Sequence, residues 1–535
     1  MKPFRYDFPY PSQRMPVLAR NVVATSQPLA TQAGLAMLQA GGNAVDAALA
    51  AAITLTVVEP TSNGIGSDAF SIVWDGKSLQ GFNASGRAPN AWTPAYFAQK
   101  YPGAATVPMR GWDSVTVPGA VSHWVALSQR YGKLPFAKLF EPAVRYARYG
   151  HPVSPITAES WARQAETLQG QADFVRDFMP GGRAPRAGEK WVFAAQADAL
   201  EAIAASGGES FYRGALAEKI VAHATSQGGA MTQADLAEHR CDPVDTIHVD
   251  YRNVRLHEIP PNGQGLAALI CLGILNHFDL ASYPVDSVAS VHLQLEAMKL
   301  AFADAYRYIS DPASMELPVA ALLDRSYLDE RAKLIDMKRA GKPVFGIPRH
   351  GGTVYLTAAD SSGMMVSLIQ SNYMGFGSGV VVPATGISLQ NRGHGFVLQE
   401  RHPNRVGPGK RPYQTIIPGF LTDQQNNPLM SFGVMGGNMQ PQGHVQMVTR
   451  MADYQQNPQT ASDASRWVLN VDGSIGVEDA LAARVATGLE ALGHRIAPAD
   501  AVNFAFGGAQ LIWRMGEDGY CAGSDHRKDG HAGGF

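Results

Sequence analysis

The residue in this sequence best placed to do chemistry is a threonine. Thr353 follows Gly351 and Gly352 and opens the alternating run TVYLTAAD. If the Gly352–Thr353 peptide bond is cut, Thr353 gains a free α-amine with an ordinary pKa of about 7.7–8.0, neutral in part near physiological pH. That amine sits on the same residue as the hydroxyl and can take its proton, so one residue supplies nucleophile and base. The β-branch restricts χ1 and holds the hydroxyl in place. The two glycines permit backbone angles that a strained, self-cleaving bond requires. Locally, an ordinary junction between loop and strand would read the same way.

Two further features offer partners for that hydroxyl. The turn DSSG after TVYLTAAD leads into MMVSLIQS, so the segment reads as a β-hairpin. If Asp360 and Gly363 close the turn, Thr353 falls opposite Gln370, and Ser371 lies one residue away with a hydroxyl that can tune the threonine. Downstream, SFGVMGGNM places Gly436 and Gly437 after a short apolar strand. Consecutive N–H groups without side chains can point at a developing oxyanion, although a Gly-Gly pair also makes an ordinary turn.

The elements that must position these groups follow from patterning. An apolar strand over 17–24 precedes a helix over 27–40 that stops at Gly41-Gly42. Asn43 caps an alanine-rich second helix whose apolar run, Ala47 to Val58, is too short for a bilayer and reads as buried. Strands are expected at 69–74 and 79–83 around Asp75-Gly76. The middle of the chain, from about 118 to 340, reads as mostly helical, with a long amphipathic helix over 288–309 capped by Ser287. GKPVFGIPRHGG, before Thr353, is loop chemistry. A layered protein of helices and mixed or antiparallel sheets fits.

Bulk composition narrows the function. At 45% hydrophobic and 17% charged residues, a large core can form. A net charge of −2 lacks the basic footprint of a nucleic-acid binder, which leaves small-molecule chemistry. Cys241, Cys271 and Cys521 are too scattered for a disulfide framework or a metal site. The opening MKPFRYDFPYPSQRM has no apolar signal region, so a cytoplasmic location is expected.

Along nearly its whole length the sequence resembles the γ-glutamyltranspeptidase family. The resemblance rests on VVATSQPLATQAGLAMLQAGGNAVDAALA, VTVPGAV, EAMKLAFADAYRYISDP, GGTVYLTAADSSG, GFGSG, GISLQNRG, PNRVGPGKRP, GVMGG and GSDHRKDG. It implies an α+β fold, the four-layer αββα sandwich of N-terminal-nucleophile hydrolases. It also implies autocleavage into a large subunit, 1–352, and a small subunit, 353–535, which stay paired; a dimer of such pairs is compatible. Thr353 would carry the acyl group, Ser371 would support it where the family has a second threonine, and Gly436 and Gly437 would form the oxyanion hole. No metal or organic cofactor is implied, and no nucleic acid or membrane partner.

The departures from the family concern the substrate. Where γ-glutamyl enzymes hold the α-carboxylate with an arginine before Ala-Pro, this chain has Ser85, with Arg87 displaced by two. The places for a glutamine and an ammonium-binding aspartate read Arg392 and Gly395. The serine pair after KRP is Gln414-Thr415, and an asparagine becomes Tyr373, with Asn372 adjacent. A γ-glutamyl ammonium would lose its carboxylate partner and meet a like charge at Arg392, an exchange that disfavours glutathione. Arg392 offers a planar fork suited to a carboxylate, unless it forms a structural ion pair. The expected reaction is therefore hydrolysis of a short, carboxylate-bearing amide, of the kind met in purine breakdown. The alternatives are a related acylase or γ-glutamyl hydrolase, or a family member that does not mature and only binds.

Overall fold

A computed structural model describes residues 6, 12–342, 352–497 and 506–535. Two seven-stranded antiparallel sheets face each other. One runs in the order Val17–Ala19, Tyr520–Ser524, Gly508–Arg514, Pro428–Met435, Gly419–Asp423, Val254–Glu258, Ile247–Tyr251. The other runs His531–Gly534, Val22–Thr25, Gly352–Ala359, Met365–Tyr373, Asp68–Trp74, Leu79–Asn83, Asp242–Val244. Phe70, Ile72, Tyr355, Ile369, Phe420, Met435 and Ile512 fill the space between them. Helices such as Ala44–Val58 and Ala120–Tyr131 pack on the outer face of the second sheet. Gly265–Leu275, Val288–Tyr308 and Met439–Ala452 cover the first. This is the expected αββα sandwich.

The alanine-rich helix shows why. Ala44–Val58 is buried over its whole length, which only a helix apolar on every side tolerates. Asn43 and Asp46 form a capping box at its start. The hairpin turn adds to that cap, because Ala44 donates its N–H to Asp360 Oδ2 at 2.7 Å. One turn residue thus ties the Thr353 hairpin to the helix beneath it.

The strand span expected over 17–24 divides into Val17–Ala19 and Val22–Thr25, which join different sheets. The long amphipathic helix and its Ser287 cap stand as expected. The mostly helical reading of the middle misses five strands: the two-residue pair His151–Pro152 and Lys190–Trp191, and the longer Asp242–Val244, Ile247–Tyr251 and Val254–Glu258. Asp242–Val244 and Ile247–Tyr251 are edge strands and Val254–Glu258 lies one place in; all three are five residues or shorter, and His248, Asp250 and Arg255 make the last two polar on one face.

Candidate active site

Parity along the strands brings the site together. On Gly352–Ala359, Val354, Leu356 and Ala358 enter the core beneath the outer helices, whereas Tyr355 and Ala359 enter the core between the sheets. Thr353 shares the parity of Tyr355 and faces inward between the sheets. On the neighbouring strand Met365 and Ile369 point the same way, and so does Ser371. The next strand places Phe70 and Ile72 on that face, and Asp68, paired with Ser371, follows them. Thr353, Ser371 and Asp68 thus stand side by side at one end of three adjacent strands.

The hairpin register differs from expectation by one residue. Gln370 pairs with Val354, not Thr353, because Asp360 bonds back to Met364 and shifts the strands. A bulge between Gly352 and Val354 then leaves Thr353 outside the regular ladder. It nevertheless reaches Ser371: the two hydroxyl oxygens are 3.1 Å apart. Ser371 Oγ also accepts the Tyr373 N–H at 2.8 Å. Thr353 is 2% exposed. The loop expected before it lies over 343–351, outside the described residues.

A ring of contacts closes around the Thr353 hydroxyl. Gln440 donates to it from Nε2 at 3.4 Å, and the Gln440 N–H donates to Gly437 O at 3.2 Å. Gln264 Nε2 bridges Gly437 O at 2.8 Å and Thr415 O at 2.6 Å. Thr415 Oγ1 accepts from Arg392 Nη1 at 2.6 Å. The Arg392 guanidinium lies over the Tyr373 ring, 4.7 Å from its centroid. Tyr373 returns to Ser371 and so to Thr353. Gly436 and Gly437 adopt φ of +129° and +60°, and a Cβ on Gly436 would come 3.0 Å from Gly507 Cα. Glycine is required at that turn, which opens the helix Met439–Ala452; the Met439 and Gln440 N–H groups close it on Gly436 O and Gly437 O.

Arg392 is 1% exposed, and its Nε and Nη2 have no hydrogen-bond partner among the described residues. Burial pulls its pKa down to about 10, opposed by nearby Asp68, so it stays cationic at neutral pH. An Nε–Nη2 edge without protein partners has the geometry to take a carboxylate with two parallel bonds. Gln414 joins the ring's periphery by donating to Asp68 Oδ2 at 3.0 Å.

Two expected substrate contacts are engaged elsewhere. Asn372 has the opposite parity to Ser371; its side chain accepts from Ser67 Oγ at 2.7 Å and donates to Ser388 at 3.3 Å, bracing the TSNGIGS loop. Arg87 has a side chain 46% exposed, donates to Gly409 O at 3.1 Å and lies near Asp311 and Asp242. Gln440, Gln264 and Asp68 were not foreseen. The signal for Gln440 was a glutamine one helical turn after Gly-Gly; for Asp68 it was a carboxylate opening an otherwise apolar strand.

Among the described residues, His292, Glu296 and His494 converge as metal ligands could. The Lys299 ammonium already lies 2.7 Å from Glu296 and 3.3 Å from His494 Nδ1, filling the place of a cation. The three cysteines are free thiols. No helix among the described residues is long and apolar enough to cross a membrane.

A hydroxyl at a strand start between two sheets, beside a glycine turn at a helix N-terminus, defines an N-terminal-nucleophile hydrolase acting on amide bonds. The profile of the gamma-glutamyltranspeptidase family matches residues 30–535, and the chain belongs to that family. It is 35% identical to the glutathione hydrolase-like YwrD proenzyme of Bacillus subtilis, over 96% of this chain and 98% of that protein. It is 34% identical to the oxamate amidohydrolase proenzyme of Klebsiella pneumoniae, over 95% and 97%. Its fold matches a cephalosporin acylase from Bacillus halodurans with a TM-score of 0.95 and 47% identity, covering 100% of this chain and 99% of that one.

Proposed function

We propose that this chain is the precursor of an amidohydrolase that cuts itself between Gly352 and Thr353, giving subunits 1–352 and 353–535, and hydrolyses a small carboxylate-bearing amide. The substrate is oxamate, converted to oxalate and ammonia in purine breakdown. The observation that carries this reading is the ring linking the Thr353 hydroxyl to an open, buried arginine edge. In oxamate the carboxylate is bonded directly to the amide carbon, so a site for it must lie close to the nucleophile.

In the cycle, Arg392 grips the carboxylate and Thr353 Oγ attacks the amide carbon while the free α-amine takes the hydroxyl proton. The Gly436 and Gly437 amides stabilise the oxyanion; losing one such donor lowers kcat by about 10²–10³. Ammonia leaves with the proton from the amine, and water hydrolyses the oxalyl ester with the amine as base. Ser371 and Gln440 hold the oxygen in line. Thr415 and Tyr373 hold the arginine, and Gln414 holds Thr415.

On a denaturing gel the protein should resolve into two chains, the smaller beginning at Thr353. Thr353→Ala should remain one inactive chain. A fully active, uncleaved wild type would overturn the mechanism. Ammonia release screened over small amides tests the substrate, and adding glycylglycine should not raise turnover. The 47% identity to a cephalosporin acylase favours a second reading, an acylase on β-lactam amides. Side-chain release from a cephalosporin, without ammonia release from oxamate, would select it.

A further inference from the structure

Asp68 is a fully buried carboxylate with no place in the cycle above. It is paired with Ser371 across the ladder, a Cα separation of about 5 Å, and faces the same way. Its Oδ1 accepts the N–H groups of Gly86 and Gly119, each at 3.2 Å. Its Oδ2 accepts from Gln414, whose Oε1 accepts the Thr415 N–H at 3.2 Å. Thr415 in turn holds Arg392 Nη1. Asp68 therefore reaches the guanidinium through two side chains and forms no direct ion pair with it. A direct pair would occupy the edge that a substrate carboxylate needs.

The fixed charges that oppose each other here are the Arg392 guanidinium and the Asp68 carboxylate; Arg411, which Asp68 also feels, is already paired with Asp242 at 3.0 Å. A monoanionic amide adds a single negative charge, which Arg392 neutralises. Hydrolysis changes that count. Water adds to the acyl ester carbonyl and passes one proton through the α-amine to Thr353 Oγ as the C–Oγ bond breaks; the new acid group gives its remaining proton to solvent and departs as a second carboxylate formed where Thr353 and Ser371 meet. The product is a dianion with its new charge on the side of Asp68.

We propose that Asp68 is a specificity-determining, positioning residue: it fixes the Arg392 fork through Gln414 and Thr415, and its charge discriminates the monoanionic amide from the dianionic product, driving product release. This rests on the proposed amidohydrolase reading. At separations of about 6–8 Å in a protein interior, one such repulsion changes binding by about 10- to 100-fold.

The test is product inhibition. In the mature wild type, oxalate should inhibit oxamate hydrolysis with a Ki at least ten times the KM for oxamate, although both present the same carboxylate to Arg392. In Asp68→Asn, after two bands confirm maturation, Ki for oxalate should fall about tenfold or more relative to KM for oxamate. A purely structural role would weaken both ligands together. If oxalate binds wild type as tightly as oxamate, the proposal is overturned, even if Asp68→Asn fails to fold. An unchanged ratio in a folded variant overturns it as well. Absence of ammonia release from oxamate by wild type would sink the substrate reading instead, a separate outcome.

Discussion

The molecule buries arginine in two contrasting ways. Arg466 and Arg527 lie in the scaffold formed with the GSDHRKDG tail. Arg466 donates from Nη2 to Asp525 Oδ2 at 2.5 Å and to Ser462 O at 3.0 Å, and from Nη1 to Phe506 O at 2.7 Å. Arg527 pairs with Glu478 and with Asp525 at 3.2 Å. Arg392 is buried as deeply, yet among the described residues its guanidinium has one hydrogen bond, to Thr415, and an unpaired Nε–Nη2 edge. The neighbouring aspartates respond oppositely. Contact with two guanidiniums holds Asp525 far below the usual carboxylate range, although burial alone would raise it. Asp68, buried without a direct ion pair, is raised to about 6 by desolvation, with Arg392 only partly opposing. Arg466 keeps one unpaired nitrogen, Nε, but its direct ion pair with Asp525 braces the scaffold. Among the described residues Arg392 has two unpaired nitrogens and no direct ion pair, a place that a ligand carboxylate fills on the proposed reading. The two regions also meet at the diglycine. Phe506 O is bound by Arg466, and the Ala509 N–H by Asp525 at 2.7 Å, so Gly507 is held between them against Gly436.

Cutting the direct ion pair should give the largest effect. Arg466→Ala leaves Asp525 with one fewer partner in a dry interior, a loss of about 3–5 kcal/mol in stability. The urea midpoint should drop accordingly and maturation should fail with it, since the turn behind Gly436 loses its backing. A variant with an unchanged midpoint would show that the network is not what braces the turn.

Opening the other region further should leave the fold intact. Arg392→Ala should mature to two chains with a near wild-type urea midpoint, yet lose about 30- to several-thousand-fold in kcat/KM for oxamate, equivalent to about 2–5 kcal/mol. Arg392→Lys keeps the charge but not the two-pronged edge and should stay impaired. Normal hydrolysis by Arg392→Ala would mean that the carboxylate is held elsewhere. Failure to cleave would make Arg392 part of the scaffold.

The aspartates separate by the sign of their pH dependence. Asp68 titrates in the folded state at about 6 against an ordinary 3.8, so the native protein holds its proton more tightly than the unfolded chain. Its contribution is therefore favourable below about pH 4 and is lost as pH rises toward 6, by about 3 kcal/mol. Arg392, Arg411 and Tyr212 are the titratable groups that sense it. Asp525, depressed, stabilises above its unfolded pKa and loses that contribution as pH falls. Melting wild type against Asp68→Asn and Asp525→Asn from pH 4 to 7 should show wild type losing ground to the first as pH rises, while its lead over the second persists. Parallel curves would refute the contrast.

Much of this was legible in the sequence, and the misses have physical causes. Thr353, Ser371, the diglycine and Arg392 carry local signatures or stand out as departures from a family pattern. Their mutual contacts follow once strand parity is respected. Asn372 faces away from Ser371, because neighbours on a strand face opposite ways. The register error arose from the turn, where one backbone bond from Asp360 to Met364 shifts the pairing, and a bulge at Thr353 leaves no compositional trace. Asp68 was missed because a carboxylate beginning a strand looks like loop chemistry. What marks it is three hydrogen bonds from segments distant in sequence, Gly86, Gly119 and Gln414. Arg87 was a sequence neighbour of a family position, and a displacement of two residues carries it to the exposed side near Asp242 and Asp311.

The smallest effect should come from Ser371, which belongs to neither arginine but joins Thr353 to the Arg392 region. Its hydroxyl contacts Thr353 Oγ1 at 3.1 Å and accepts the Tyr373 N–H at 2.8 Å. A neutral hydrogen bond of this kind has a net worth of about 0.5–1.5 kcal/mol. Ser371→Ala should therefore lower kcat by roughly 3- to 10-fold through a less well held nucleophile. It should also raise KM, because Tyr373, on which Arg392 stacks, loses its backbone partner. Ser371→Thr keeps the hydroxyl and should recover most of both. The split between the two constants is the informative reading. A fall in kcat alone confines Ser371 to the nucleophile, a rise in KM alone confines it to the arginine, and both together, restored by threonine, make it the hinge of the ring.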